Sequence, residues 1–236
     1  KDQTVIGIVT EASLKYNYAV PAVIARYVLE SWGVQFGVQL RAQPATLSPV
    51  ALKHMIQDKG IHHPYNASDE DLSPGLIGTF HHSYTTVTQK QVPLVIDRAT
   101  NLMWQQAGSS KRIRGGVDED GPQRHIDQLN AQQVGGFSDW RLPTVEELAS
   151  LLESIGSNNG LFIDVVFDST QWSCWSADYL IKSQKSSSVV FNGPWEMYVD
   201  FHEGRINYRR FRSGNTMDAF VRGVRTILPS DPSPSN

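Results

Sequence analysis

The sequence predicts an α+β fold, because helical and extended patterns both recur along the chain. Apolar residues across 145–152 recur at the spacing of one helix face. Across residues 195–201 apolar and polar side chains alternate, which is the period of a half-buried strand. Gly204 separates this strand from a second extended stretch at 205–211, and the two together predict a hairpin.

Length and composition bound the class of protein. With 236 residues, of which 40% are apolar and 19% charged, the chain can bury a sizeable core as one domain with an appendage. A net charge of -3 provides no overall attraction to nucleic acid, so we expect no specific nucleic-acid partner. No apolar run approaches membrane-spanning length, so we expect no membrane insertion.

Residues 1–45 form a predicted N-terminal extension. Residues 4–9 and 34–41 have the alternation of strands, and between them Pro21 opens a helical pattern that Gly33 closes. The segment contains no chemical motif. We interpret it as a small packing or linking element.

Two short helices and a pair of strands are predicted next. Ser48 begins a helix that ends at Gly60. Residues 92–96 and 102–104 predict paired strands, because the residues between them have a turn-forming composition. A further helix is predicted at 122–133, with apolar side chains on its inner face.

The stretch Gly136–Leu148 contains several residues that favour the start of one helix. Thr144 is a good N-cap, and Glu147 stands at the position that completes a capping box. Apolar residues at helical spacing predict that this helix continues to Ile155. Gly156 can then adopt the left-handed backbone conformation that commonly ends a helix.

Five motifs occur in an order that is typical of one bacterial family. They are Asp97-Arg98-Ala99-Thr100-Asn101-Leu102-Met103-Trp104-Gln105, Gly136–Leu148, Cys174-Trp175-Ser176, Val199-Asp200-Phe201 with Gly204, and Val221-Arg222-Gly223-Val224-Arg225. By these motifs, residues 46–228 resemble the Lcl C-terminal domain family, which is named after a collagen-like adhesin. The ordered set is far more specific than any single motif.

The resemblance implies a C-type-lectin-like fold related to the formylglycine-generating enzymes. Two main helices would pack beside short, mostly antiparallel twisted sheets, and residues 229–236 would form a disordered tail. Some relatives are variable proteins of diversity-generating retroelements. The resemblance therefore implies a non-enzymatic receptor or adhesin domain whose partner is a protein or a glycan.

Candidate ligand-binding residues lie in the C-terminal strands and the loop after them. Arginine beside aromatic rings suits sulfated, carboxylated or phosphate ligands, and exposed rings suit sugars or protein partners. The candidates are Trp175, Trp195, Tyr198, Asn207, Tyr208, Arg209, Arg210, Arg212 and Asn215. A fixed adhesin for polyanionic glycans is the alternative to a diversified receptor.

A second group of residues is predicted to be structural, because its members lie within the family motifs or cap the helix. Tryptophans in such motifs more often pack in the core, and arginines in the closing motif more often form internal ion pairs. The group comprises Trp104, Trp140, Arg141, Thr144, Glu147, Arg222 and Arg225.

Catalysis and metal binding have little sequence support. Cys174 is the only cysteine, which excludes a disulfide within this chain. A cysteine-dependent oxidase of the formylglycine-generating type is kept as an alternative, although Cys174 has no second cysteine to act with. The histidine doublets His62-His63 and His81-His82 point to opposite faces of a strand, so neither chelates one ion readily. We expect no metal and no other cofactor. The compartment stays open between a cell-surface or extracytoplasmic location, which we favour, and the cytoplasm.

Overall fold

The computed structural model describes residues 38–63, 80–116, 121–186, 189–210, 218–228 and 231. For residues 182–186, 189–193 and 210 it describes the backbone and not the side chain. The predictions for residues 1–37 lie outside the described residues. So do those for Arg212, Asn215 and nearly all of the tail.

The described chain contains both helices and strands, which confirms the predicted α+β class. The helices are α1 (Pro49–Asp58), α2 (Pro122–Ala131) and α3 (Val145–Ser150), with a 3-10 turn at Val134–Gly136. The strands are β1 (Thr46–Leu47), β2 (Tyr84–Gln89), β3 (Val92–Asp97), β4 (Leu102–Gln105), β5 (Ile113–Arg114), β6 (Ser173–Ser186), β7 (Val189–Asp200), β8 (Arg205–Arg210), β9 (Asp218–Ala219) and β10 (Val224–Thr226). None of these helices has the length and hydropathy needed to cross a bilayer.

The strands form two larger sheets and one small ribbon. The first sheet has the order β1-β6-β7-β8, in which only the β1–β6 pair is parallel. The second has the antiparallel order β10-β4-β3-β2, and β5 pairs with β9. The predicted hairpins β3–β4 and β7–β8 are therefore present.

Strand β7 lies between two hydrophobic clusters. Met197 and Val199 belong to a cluster that also contains Leu52 of α1 and Leu148 of α3. Tyr198, which points to the opposite face, belongs to a second cluster with residues of α2 and the second sheet. Both faces of β7 are thus covered by protein.

Side-chain caps fix where two helices begin. The Ser48 hydroxyl accepts a hydrogen bond from the Ala51 amide at 3.1 Å, at the start of α1. At α3 the Thr144 hydroxyl accepts from the Glu147 amide at 3.2 Å, and the Glu147 carboxylate accepts from the Thr144 amide at 2.9 Å. The predicted capping box is therefore present.

The predicted end of the same helix is wrong. Helix α3 ends at Ser150, and Ile155 is 72% exposed instead of facing the core. The amide of Glu153 donates to the carbonyl of Phe162 at 3.0 Å, so the chain has left the helix for a loop. Leu152 stays buried, which explains why the apolar spacing outlasts the helix.

The segment 220–225, which contains the closing family motif, does not form one continuous strand. Phe220 forms an isolated bridge with Cys174, and the ladder with β4 begins only at Val224. Between them the Val221 carbonyl accepts from the Ser109 amide at 2.7 Å. The segment therefore links the first sheet to the second.

Candidate functional site

A β-bulge shapes a cleft on the first sheet. The register between β6 and β7 shifts between Trp175 and Tyr179, and bulges of this kind often lie beside functional sites. The cleft beside it has a volume of about 370 Å³. Its lining residues are Pro44, Gly116, Pro122, Gln123, Leu142, Trp175, Ser176, Ala177, Asp178, Tyr179 and Glu196.

Asp178 anchors the bulge to two other segments of the chain. Its carboxylate accepts from both terminal nitrogens of Arg41, at 2.9 and 2.6 Å. It also accepts from the backbone amides of Ala45 and Val145, each at 2.7 Å. The Asp178 side chain has no exposed surface, so these donors take the place of water around the charge. This wall of the cleft is fixed by its hydrogen bonds.

Arg41 extends the network to the first turn of α3. Its Nε lies 3.7 Å from the Glu146 carboxylate, which also lies 3.4 Å from Lys59 Nζ. The hydrogen bond to Asp178 raises the pKa of Arg41 above its usual value, although partial burial opposes this. Residues 38–45, which precede the predicted domain start, therefore hold the domain together, and Leu40 joins its core.

Glu196 and Arg209 form a second ion pair at the cleft, on the β7–β8 hairpin. Arg209 Nε donates to Glu196 Oε2 at 2.8 Å, and Arg209 Nη2 lies 2.7 Å from the same oxygen. The Arg209 guanidinium also lies 4.8 Å from the ring centre of Trp175. A Cβ on Gly115 would stand 2.3 Å from Arg209 Nη2, so a residue without a side chain lets this loop approach the pair.

The cleft combines an apolar lining with paired acids. Pro44, Pro122 and Leu142 supply apolar surface. Each of the two carboxylates that line it contacts an arginine. Among the lining residues no charge is left uncompensated, and such a surface fits a neutral ligand better than a charged one.

The structure contradicts the predicted exposure of three aromatic candidates. The exposed fractions of Trp175, Trp195 and Tyr198 are 1%, 9% and 4%. The Trp175 indole donates to the Ile113 carbonyl at 2.8 Å and packs edge-on against Tyr198. The prediction was wrong because it assumed that one face of β7 is open to solvent. Trp175 nevertheless lines the cleft.

The remaining predicted ligand residues have different settings. Asn207, Tyr208 and Arg209 lie on β8 and are half-buried. Tyr208 packs edge-on against Trp195, with ring centres 5.8 Å apart. The side chain of Arg210 lies outside the described part of the structure. Of the predicted ligand-binding residues, Trp175 and Arg209 therefore contact each other beside the cleft.

The arginines of residues 205–225 are largely paired or buried where the structure describes them. Arg205 forms an ion pair with Glu203 and Arg209 one with Glu196. Arg222 has no exposed surface, and Arg225 is only 2% exposed. These contacts reduce the positive charge that the described surface offers to a polyanion.

The residues predicted to be structural are well packed. Trp104 is completely buried and Trp140 is 2% exposed. Asn130 brackets the Trp140 backbone, because its side chain accepts from the Trp140 amide and donates to the Trp140 carbonyl, both at 2.8 Å. Arg141 pairs locally with Glu147 at 2.7 and 2.5 Å.

Cys174 is fully buried, and this bears on the enzymatic alternative. Burial raises the pKa of its thiol, although the nearby Arg222 opposes the shift. A protonated thiol without solvent access is a poor nucleophile. Within the described ranges, the histidine, cysteine and acidic side chains also form no group of three or more suited to a metal ion.

Sequence reasoning missed the residues that build the cleft. Glu196 lies on the strand predicted at 195–201, where it was counted only as a polar residue of the alternation. No strand was predicted around Asp178, and Arg41 was assigned to the N-terminal extension. An acidic residue among buried strand residues is the available signal, because such a charge needs a partner. The identity of that partner, 137 positions away for Asp178, is not encoded locally.

Comparison with known proteins bears on the identity of the chain. No curated protein and no solved structure matches it. The family model of the Lcl C-terminal domain matches residues 93–225, which is more than half of the chain and spans the ordered motifs. The cleft-lining residues from Gly116 to Glu196 fall within the matched range, whereas Arg41 and Pro44 precede it. The chain therefore belongs to the Lcl C-terminal domain family.

Proposed function

We propose that this chain is a non-enzymatic ligand-binding domain on a C-type-lectin-like scaffold, and that its ligand occupies the cleft beside the β6 bulge. The observation that carries the proposal is the cleft of about 370 Å³. One of its walls is anchored by Asp178, and the other contains Glu196 of the β7–β8 hairpin. Its volume lies within the range of about 300–1,000 Å³ typical of ligand sites. Its apolar lining and few hydrogen-bonding groups are also typical of such sites.

The chemistry of the lining favours an uncharged ligand with both apolar and hydrogen-bonding surface. Pro44, Pro122 and Leu142 offer apolar contact, while Tyr179 and Glu196 offer hydrogen-bonding groups. A neutral glycan or an uncharged segment of a protein partner has this combination. A sulfated or phosphorylated ligand would meet two carboxylates instead.

The test fills the cleft without changing its charge. Ala177→Trp places an indole on the lining, whereas Ala131→Trp places the same group on the exposed end of α2. Both proteins, with the wild type, are applied to an array of neutral oligosaccharides, sulfated oligosaccharides and protein ectodomains. We expect Ala177→Trp to lose at least about tenfold in affinity for whatever the wild type retains, while Ala131→Trp matches the wild type.

Equal retention by a folded Ala177→Trp protein would overturn the cleft as the binding site. Circular dichroism and the midpoint of thermal unfolding establish folding for each variant. Because the two variants carry the same added side chain, a general effect of the indole would appear in both.

A diversified receptor is the finer version of the proposal. The anchoring contacts of Asp178 and the α3 capping box are made by residues outside 211–217, so substitution within 211–217 would leave these contacts intact. A neighbouring reverse-transcriptase gene and a near-copy of the 3′ coding sequence that differs at adenines would support this version. Their absence from the genomic neighbourhood would favour a fixed receptor.

A fixed adhesin for polyanionic glycans remains an alternative, supported by the arginines near the end of the chain. It predicts retention on heparin that weakens with salt and with alanine at Arg209, Arg210 or Arg212. Retention that is indifferent to salt and to these substitutions would exclude it.

The enzymatic alternative depends on access to Cys174. An oxidase-like reaction would require the thiol to react in the folded protein. Complete resistance of Cys174 to iodoacetamide without denaturant would exclude this alternative. Full burial of the residue favours that outcome.

A further inference from the structure

The two acids that line the cleft use their carboxylate oxygens differently. Both oxygens of Asp178 are occupied, because Arg41 and two backbone amides donate to them. Arg209 instead directs Nε and Nη2 at the same oxygen of Glu196, Oε2, at 2.8 and 2.7 Å. No described residue donates a hydrogen bond to Glu196 Oε1, and this oxygen is not sealed from solvent. One carboxylate oxygen is therefore available to a ligand at the cleft.

Glu196 belongs to a row of side chains that crosses the first sheet. It is paired with Tyr179 across β6 and β7 and with Arg209 across β7 and β8, so the three side chains project from one face. The Arg209 guanidinium also packs 4.8 Å from the ring centre of Trp175. The Glu196 side chain is only 9% exposed. A hydrogen bond to Oε1 would therefore form in a largely shielded setting, where it is stronger than in open water.

Tyr179 supplies the second available polar group of the lining. Its side chain is half-buried, and its hydroxyl makes no hydrogen bond to a described residue. Burial, together with the Glu196 carboxylate, raises the pKa of Tyr179, so the hydroxyl keeps its proton at neutral pH. A phenolic hydroxyl both donates and accepts, whereas a carboxylate oxygen only accepts.

The other polar side chains of the lining are already engaged. The Ser176 hydroxyl donates to the Met197 carbonyl at 3.0 Å. Gln123 is exposed, and its amide nitrogen donates to Asp127 at 2.9 Å. Side-chain hydrogen bonds to a ligand therefore depend mainly on the free carboxylate oxygen and the phenol.

The backbone of the bulge does not favour an extended peptide as the ligand. The amides of Ala177, Asp178 and Tyr179 all donate within the protein, at 2.8, 3.3 and 3.1 Å. A peptide backbone presents carbonyls as well as amides, and its carbonyls would find no donor at these three positions. A sugar hydroxyl, by contrast, can donate to a carboxylate oxygen and accept from a phenol at the same time.

We propose that the cleft binds a neutral saccharide, one of whose hydroxyls donates to Glu196 Oε1 and accepts from the Tyr179 hydroxyl. The C–H surface of the sugar would contact the apolar lining at Pro44, Pro122 and Leu142. This inference rests on the proposed binding function of the cleft, and it adds the class of ligand and the two groups that recognise it.

Saturation-transfer NMR of the full chain tests the class of ligand. The probes are free neutral hexoses, deoxyhexoses, N-acetylhexosamines and their disaccharides. We expect at least one probe to receive saturation from the wild type and to lose it with Ala177→Trp, which fills the cleft. Absence of saturation from every probe in the wild type would overturn the inference, and so would saturation that Ala177→Trp leaves unchanged.

Matched acid variants test the role of Glu196. Glu196→Gln keeps an oxygen for Arg209 and presents an amide donor in place of Oε1. Affinity for the bound saccharide should therefore fall at least about tenfold, as for a lost hydrogen bond to a charged group. Glu203→Gln makes the same change at an exposed residue between β7 and β8 and should bind as the wild type does. Equal affinity of all three proteins would overturn the proposal.

Two further changes identify the contacts. Tyr179→Phe keeps the ring and removes the hydroxyl, so affinity should fall by a smaller factor, roughly fivefold. Deoxy derivatives of the bound sugar should include one that weakens wild-type binding about tenfold but hardly weakens binding to Glu196→Gln, because the partner is already lost. Losses that simply add for every hydroxyl would contradict the assignment of Glu196.

Failure of this inference is distinct from failure of the proposed function. If Ala177→Trp abolishes retention of a protein ectodomain while no saccharide binds the wild type, the cleft is a binding site and only the saccharide inference is overturned. If a folded Ala177→Trp protein retains every ligand of the wild type, the proposed function of the cleft is overturned with it.

Discussion

Two walls of the cleft each contain an acid paired with an arginine, but the acids are held in different ways. Asp178 receives two bonds from Arg41 and two more from backbone amides that belong to other segments. Glu196 is paired with Arg209 on the neighbouring strand of the same hairpin. The first acid joins distant parts of the chain, whereas the second stabilises one local surface.

Under the proposed function, this difference would separate a wall that defines the fold from a wall that adapts to a ligand. Loss of Asp178 would remove the shared acceptor of donors on two other segments, residues 41–45 and the start of α3. Loss of the Glu196 charge would alter one face of the hairpin. For the proposed binding domain, this arrangement would let the recognition surface change while the scaffold persists.

The largest expected effect is that of Asp178→Ala. It removes a buried carboxylate, leaves two backbone amides without their acceptor and leaves Arg41 only its longer contact with Glu146 as an ion pair, which should cost about 3–5 kcal/mol of unfolding free energy. Urea unfolding followed by tryptophan fluorescence measures this loss. A cost near that of an exposed ion pair, below about 1 kcal/mol, would remove the distinction between the two walls.

Trp140→Ala tests a buried residue that supports the fold and does not line the cleft. The indole is 2% exposed and its Nε1 donates to the Val134 carbonyl at 2.9 Å, so its removal should cost about 3–5 kcal/mol. We expect loss of the folded domain, seen as a lower midpoint of thermal unfolding, with binding lost only as a consequence. A stable Trp140→Ala protein that had lost ligand alone would assign Trp140 to the site instead.

Thr144→Ala, at the start of α3, should reduce the unfolding free energy by less. It deletes one half of the α3 capping box and the hydrogen bond from the Thr144 hydroxyl to the Arg41 carbonyl. The expected cost is about 1–2 kcal/mol. Thr226→Ala, at an exposed position of β10, serves as the control. Equal stability of the two variants would show that the capping box is unimportant here.

The smallest effect on stability is expected from Glu196→Gln. Glutamine can still accept a hydrogen bond from Arg209, so the unfolding free energy should change by about 1 kcal/mol or less. Ligand affinity should change by more than stability does, because the residue lines the cleft. Isothermal titration with a ligand retained on the array compares the two quantities. A large loss of unfolding free energy would show that Glu196 supports the fold to the same extent as Asp178.

Local features of the fold were accessible from the sequence because their causes lie within a few residues. The α3 capping box requires only Thr144 and Glu147, and the β7–β8 turn requires only a residue such as Gly204, whose φ is 69°. The end of α3 was less accessible. There the amide of Glu153 is taken by the carbonyl of Phe162, a contact outside the helix.

The sequence by itself thus determined the helix starts, the hairpins, the α+β class and the family. The tertiary structure decided which aromatic residues are exposed and where the cleft lies. Alternation along β7 describes two faces, but only the packing of a second cluster shows that Tyr198 is buried as well. Likewise, Asp178 becomes an anchor only because folding brings Arg41 and the start of α3 to it. Both outcomes depend on contacts between distant segments, for which a local pattern carries no signal.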